Sequence, residues 1–419
     1  MLSLLPLALR TLRPYIGAME QHDVVVIGAG AAGLMCAIAA GRRGRRVLVL
    51  DHAAEPGAKI LVSGGGRCNF TNRDTAPDRF LSDNPAFCRS ALRRYTPADF
   101  VALVERHGIA WHEKTLGQLF CDGSARAIVA MLLAECEAVG VEIRLATRPT
   151  ELARSDRFRI ETDGGALEAE SLVLATGGLS IPKMGATGFA LDAARRFGLA
   201  VTPTAPALVP LAFGGDDLAL MQPLSGVALD TVVSTGVSTG TGARAGRATF
   251  REATLFTHRG LSGPAILQVS SSWRAGGAIT LDLLPGMDAA AFLLGRKRSR
   301  PKAELRTVLA EVLPQRLAIA LAPPEAKPRN LADTPDRTLT ALAARLKAWQ
   351  ATPTGSEGYA KAEVMRGGVD TRALSQRTMA ANDVPGLFVV GEAVDVTGWL
   401  GGYNFQWAWS SGWCAGEAA

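Results

Sequence analysis

The sequence has little of what staples, anchors or metallates a chain. Its cysteines, at positions 36, 68, 88, 121, 136 and 414 of 419, form no CxxC pair and none of the dense pattern of a small disulfide framework. They read as reduced thiols of a cytoplasmic protein. No stretch reaches the roughly 18 uninterrupted apolar residues of a membrane span, so no membrane partner is expected. No spacing of His, Cys and carboxylate suggests a metal site, no repeat recurs at a fixed period, and no second complete GxGxxG unit follows the first. The opening MLSLLPLALRTLRPYIGAM combines an apolar run and arginines with two prolines and no clear small-residue cleavage site. It reads as a dispensable leader over 1–18, with Met19 a plausible start.

A chain of 419 residues exceeds the roughly 250 to 300 at which one core stops growing, so two domains are expected. With 48% hydrophobic and 20% charged residues, disorder is excluded. The formal charge of +6 says less than its distribution: positions 291–350 hold twelve Lys and Arg against five acids, a net +7 that leaves the rest nearly neutral. Such a segment suits a phosphate backbone, or is simply a solvated helix face.

The β-branched run at 23–28 leads through AGAAG into a helical apolar pattern and then RRVLVLD, one βαβ unit over 23–51 and hence a parallel sheet. Helical periodicity recurs at 97–107 and 124–139, strand patterns at 141–146, 157–162 and 171–175. Near Thr202 a Pro-punctuated stretch opens an inserted domain over 201–356, β-rich to about 285, with the turn-like TGVSTGTGARAG, and basic and helical from about 286. The first domain, begun at 19–200, resumes at 357–419 with a strand at 386–392 and a helix at 404–416.

Gly28, Gly30, with Ala31 after it, and Gly33 stand between strand and helix, and Asp51 closes the next strand. Glycines there allow a tight turn, backbone approach to a pyrophosphate and close helix packing; the helix N-terminus offers free N–H groups and the acid accepts a ribose hydroxyl. LVLATGG ends at Thr176 and Gly177, and GLFVVGE at Gly391 and Glu392, followed by the Gly401, Gly402, Asn404 turn. Three Gly-rich strand ends fit a long dinucleotide such as FAD, and a helix starting near Asn404 would set its positive end by the flavin pyrimidine. The loop GAKILVSGGGRCNFTN supplies Lys59, Ser63, Gly64, Gly65, Arg67, Cys68 and Asn69. Cys68 reads as a small residue beside the cofactor or as a redox thiol; no second cysteine lies near it in sequence. Of the remaining protic groups, Cys121 and His258 are candidate acids and Arg259 a candidate oxyanion cation.

PGAKILVSGGGRCNFTN, AWHEKTLGQLFCD, LFTHRGLSGPAILQ and DVTGWLGGYNFQWAWSSG together resemble the BaiN/YhiN family of flavoproteins from about residue 20 to the C-terminus. The resemblance implies a glutathione-reductase-like, Rossmann-type α/β FAD-binding fold with an inserted β-barrel plus helical domain. It implies cofactor contacts at the residues named above. It further implies FAD with NADH or NADPH, and an activity closest to the branch that reduces uridine of 23S ribosomal RNA to dihydrouridine, on the ribosome or its precursor. A small-molecule enone reductase or amine oxidase, and an RNA-binding assembly factor, stay open beside it. The chain departs from the family where AEVTxGGV reads AEVMRGGV, with Met365 and Arg366, and where TMES reads TMAA at 378–381.

Overall fold

The computed structural model describes residues 19–236, 248–322 and 330–419. The expected leader, positions 237–246 of the Gly/Thr-rich turn, and Lys327 and Arg329 of the basic segment lie outside the described residues.

Strand β1 (Glu20–Ile27) carries Val24 to Ile27, four consecutive β-branched residues that are at most 2% exposed. Such a run is stable only with neighbours on both edges and cover on both faces. β1 therefore lies mid-sheet, parallel to β2 (Val47–Leu50) and to the strand Gly165–Leu174. Each buried Val or Ile contributes about 1.5–3 kcal/mol of apolar transfer. Glu142–Arg144 joins β2 in parallel, and Leu387–Val389 pairs in parallel with Leu172–Leu174. The first half of Gly165–Leu174 instead pairs antiparallel with Phe158–Thr162, which pairs with Pro149–Arg154. Strands brought together from both ends of the sequence thus share one sheet, and their parallel members end on one edge at Gly28, Asp51, Ala175 and Gly391.

Helix α1 (Ala31–Arg42) is buried from Ala32 to Gly41 because the C-terminal helix Tyr403–Gly416 lies directly on its backbone. A Cβ on Gly412 would sit 2.3 Å from the Ala32 carbonyl oxygen, and one on Gly416 2.3 Å from that of Cys36. Only glycine, repeated every four residues on one helix face, permits this approach.

A second sheet, seven strands in the order 349–351, 279–282, 228–235, 249–257, 260–262, 211–212 and 355–356, is antiparallel throughout. The described pairings run as a path with two ends. Helices Ala289–Ser299, Leu305–Leu309, Gln315–Leu321 and Asp336–Lys347 share its apolar core. That core draws on residues between Leu211 and Ala351; the parallel sheet's core draws on 24–199 and 365–419. A small cluster of Ala207, Leu208 and Val364 lies between them, where Ala205–Ala207 pairs with Val364–Arg366. Among the described residues no helix is long and apolar enough to cross a membrane, and all six cysteines are unpaired and buried.

Asp395 is 5% exposed and accepts one hydrogen bond, from the Asp83 N–H at 3.2 Å. Burial, joined by the Asp83 and Asp370 carboxylates, pushes it up to about 6. A carboxyl raised on folding stabilises the fold below its unfolded pKa, and this contribution is lost as pH rises through the folded value. Wild type should therefore lose about 2–3 kcal/mol relative to Asp395→Asn between pH 4 and pH 7. Urea unfolding at both pH values reads this directly; parallel stability profiles for the two proteins would refute it.

Candidate functional site

A cavity of about 970 Å³ runs along the shared edge of the parallel strands and continues to the second sheet. That is at the upper end of the range of small-molecule sites, about 300–1,000 Å³, and matches an extended dinucleotide. Its floor is the first βα turn, where Gly28, Gly30 and Ala31 line it and Gly33 lies beneath. Gly28 takes φ +116°, and a Cβ there would meet the Ala175 carbonyl oxygen at 2.5 Å; at Gly30 a Cβ would enter open space. α1 has no acid in its first turn, so its free N–H groups favour an anion. Asp51 is oriented by two backbone donors, Ala29 N–H at 2.7 Å and Ala53 N–H at 2.8 Å, one on each oxygen. Each oxygen keeps a further lone pair for a hydroxyl.

Thr176, Gly177, Gly391 and Glu392 line the middle of the cavity, as the strand ends lead one to expect. Glu392 is held by three segments at once. Its Oε2 accepts from Lys59 Nζ at 2.6 Å, and its Oε1 accepts from Ser180 Oγ at 2.7 Å and Met365 N–H at 2.9 Å, while Lys59 also donates to Ser180 Oγ at 2.6 Å. Lys59 and Glu392, 333 residues apart, thereby fix the cavity wall as one unit.

The remaining end is built from the glycine loop and the C-terminal turn. Ser63, Gly64, Gly65 and Asn69 line it together with Gly401, Gly402 and Asn404. Asn404 closes the turn before its own helix, accepting from Gly398 N–H at 2.8 Å and donating to the Gly398 carbonyl at 2.9 Å. Asn72 donates to the carbonyls of Gly401 at 2.9 Å and Leu116 at 3.0 Å, tying the loop Thr115–Gly117 to that turn. Gly402 caps helix Tyr403–Gly416 with φ +94°, and the first turn of that helix carries no acid. Its N-terminal residues face the cavity, as expected for a helix whose positive end meets a ligand.

Other expected residues do not reach the cavity lining. Arg67 is exposed, and its carbonyl accepts from Cys121 N–H at 3.1 Å. Cys68 and Cys121 are both fully buried. They are distant in sequence, but the antiparallel register Asn69↔Phe120 makes them neighbours. Burial pushes the Cys68 thiol up to about 12 and the Cys121 thiol up to about 11, so both are small packing groups rather than reactive thiolates. His258 and Arg259 occupy an exposed hairpin turn; Arg259, its side chain 62% exposed, lies 3.9 Å from Glu357. The structure thus keeps Cys121, His258 and Arg259 away from the cavity, because strand pairing buries the first and a solvent-facing turn carries the others. Glu20, His22 and Glu142 come within 4.8 Å of one another, yet the Arg144 guanidinium pairs with both glutamates and supplies the countercharge.

Sequence reasoning missed the wall opposite the glycine turn. Leu208, Glu252, Pro264, Glu363, Val364 and Leu400 form it, drawn from segments scattered between positions 208 and 400. Glu252 accepts from Gln268 Nε2 at 3.2 Å, and Gln268 Oε1 accepts from Leu400 N–H at 2.9 Å. Burial raises Glu252 above the ordinary glutamate range, and desolvation by its surroundings raises Glu363 in the same direction although that residue is exposed to solvent. No local pattern marks such residues; Glu363 stood out only as part of the AEVMRGGV run.

Residues 22–418 match the family described as HI0933-like protein Rossmann domain. Over 408 residues the chain is 49% identical to the ribosomal RNA dihydrouridine synthase of Escherichia coli K12, covering 95% of this chain and 98% of that one. It is 42% identical to the Haemophilus influenzae protein of the same name, at 95% and 98% coverage. It is 29% identical to the 3-dehydro-bile acid delta(4,6)-reductase of Clostridium scindens, at 95% and 99% coverage. The matches run through both parts of the parallel sheet and everything between them, and so the chain belongs to the HI0933-like Rossmann-domain family, the BaiN/YhiN flavoproteins that its motifs resemble.

Proposed function

We propose that this protein is an FAD-dependent oxidoreductase that reduces the C5=C6 bond of uridine in 23S ribosomal RNA, with NADH or NADPH as electron donor. The observation that carries this reading is the 49% identity, over nearly the whole of both chains, to a ribosomal RNA dihydrouridine synthase. The cavity is consistent with it. Its bare glycine floor, the acid-free N-terminus of α1 and the doubly anchored Asp51 suit the pyrophosphate and ribose of FAD. When bound, FAD supplies hydride to the acceptor's C=C bond. The chain's part is to hold the dinucleotide along the strand ends, to present the acceptor from the opposite wall and to exclude water.

The finer description belongs to the same reading: a glutathione-reductase-like domain over 19–200 and 357–419, and a barrel-like sheet with helices over 201–356. Within the basic segment Arg296 and Arg300 pair with Glu311, Lys297 with Asp336, Arg306 with Glu304 and Lys347 with Asp282. Arg298, Lys302, Arg337 and Arg345 are exposed and form no ion pair among the described residues. They are available to RNA phosphates, with the expected steep salt dependence. A uridine must leave its stack to enter the cavity, so naked or immature ribosomal RNA is the expected substrate.

The test is mass spectrometry of nucleosides from 23S ribosomal RNA of cells with and without the gene. Dihydrouridine should disappear on deletion and return with the intact gene. Unchanged dihydrouridine, together with turnover of a free enone by the purified protein, would favour the small-molecule reductase that the bile-acid reductase relative suggests.

A further inference from the structure

The chemistry proposed above adds hydride to one carbon of a conjugated C=C bond and must place a proton on the other. On that reading the dinucleotide would lie along the strand ends, which leaves the lining of Leu208, Glu252, Pro264, Glu363, Val364 and Leu400 for the acceptor. The two protic side chains of that lining are Glu252 and Glu363. Glu252 is engaged with Gln268, which in turn holds the Leu400 N–H. Glu363 has no side-chain hydrogen bond or ion pair among the described residues, and it is an exposed residue of the cavity lining.

The backbone around Glu363 is fixed. Its N–H donates to the Leu208 carbonyl at 3.2 Å, the next residues pair in register with Ala205–Ala207, and Met365 N–H is held by Glu392. Leu208 and Val364 beside it are apolar, at 1% and 8% exposure. The other charged groups in the middle of the cavity, Lys59 and Glu392, neutralise each other at 2.6 Å. An unpartnered carboxyl at the bend leading into a fixed strand, exposed to solvent through the cavity and set between apolar neighbours, is arranged to take up a proton and to release it there.

We propose that Glu363 is a catalytic residue, the acid that protonates the acceptor carbon next to the carbonyl. This inference rests on the reductase reading. In the step the Glu363 O–H bond breaks and a C–H bond forms at C5 of uracil, the C5=C6 π electrons supplying the pair. The hydride at C6 would be supplied by the flavin when bound, so that the two electrons gained by the pyrimidine would be lost by the flavin. The carboxylate left behind regains its proton from water. Cys121, the acid considered from sequence, lies outside this space.

The test uses flavin-loaded Glu363→Gln, Glu363→Asp and wild-type protein with two acceptors, a single-stranded uridine-containing oligoribonucleotide and a cyclic enone. Glu363→Gln should lower kcat by about 100- to 10,000-fold on whichever acceptor wild type reduces, with KM within a few-fold. Glu363→Asp should recover part of the loss. A second readout is independent of turnover: the infrared titration difference between flavin-free wild type and Glu363→Gln should show one carboxyl titrating above the usual glutamate range, over the unchanged components of Glu252 and Asp395. A kcat within about threefold of wild type, or infrared titrations of wild type and Glu363→Gln that superimpose, overturns the assignment. Should Glu363→Gln fail to fold, Glu363→Asp decides, since full wild-type kcat in it is incompatible with a positioned acid. If wild type reduces only the enone, the RNA reading fails while Glu363 is still judged on the enone.

Discussion

Gly33→Val should yield protein without bound flavin. A Cβ at position 33 would lie 1.9 Å from the Gly28 carbonyl oxygen and 3.2 Å from the Ala175 Cβ. The first of these is backbone of the turn that forms the cavity floor, and it cannot rotate away as a side chain can. α1 would have to lift from β1, and the C-terminal helix seated on α1 would have to move with it. Overpacking of this kind costs about 3 kcal/mol or more, equivalent to at least a 100-fold rise in the Kd for FAD if the cost falls on the cradle. The melting temperature should fall by several degrees as well. Gly30→Ala is the informative companion. Its Cβ meets nothing within 4 Å, so the fold should keep its melting temperature while the added methyl intrudes where a phosphate must approach. Visible absorbance after purification and thermal melting separate the two outcomes; a yellow Gly33→Val protein with wild-type stability would refute the argument.

Glu392→Ala should be the most damaging single side-chain truncation along the cavity wall. It would strip partners from Lys59 Nζ, Ser180 Oγ and Met365 N–H together. Ser180 is fully buried, whereas the Lys59 side chain is 33% exposed and regains some hydration. Removing one member of a fully buried pair costs about 3–5 kcal/mol; with this exposure about 2–4 kcal/mol is expected. Flavin affinity should fall with it, since the same unit carries the Gly391 turn. Glu392→Gln keeps an oxygen for Met365 N–H and should lose about half as much. A double-mutant cycle with Lys59→Ala, read by urea unfolding, should give a coupling of about 1–3 kcal/mol. Coupling near zero would mean that Lys59 and Glu392 act separately.

Much of the dinucleotide half was legible in the sequence. The β-branched run 24–27 and the glycines after it place β1, the turn and α1 within a few residues of where they lie. The C-terminal helix, read as 404–416, begins at Tyr403. These features rest on local rules: strand propensity, turn conformation and helix periodicity all act within a dozen residues. The cavity lining around Glu252 and Glu363 was not legible. Glu252 lies on a strand of the second sheet and Glu363 at the bend before a strand of a separate small sheet, 111 residues further on, and nothing near either in sequence distinguishes it from a surface glutamate. Cys121 and His258 qualify as acids and Arg259 as an oxyanion cation by chemistry alone, but chemical capability carries no information about which face of a hairpin a side chain occupies.

By itself the sequence determined the glycine turn between β1 and α1 and the glycines that line the cavity there, because tolerance of a positive φ and a bare backbone are properties of the residue. Tertiary structure alone decided which charges are paired, which thiols are buried away from the cavity and which carboxyls line it. Ion pairing and burial arise between segments hundreds of residues apart, as with Lys59 and Glu392, and follow only once packing has fixed their distance.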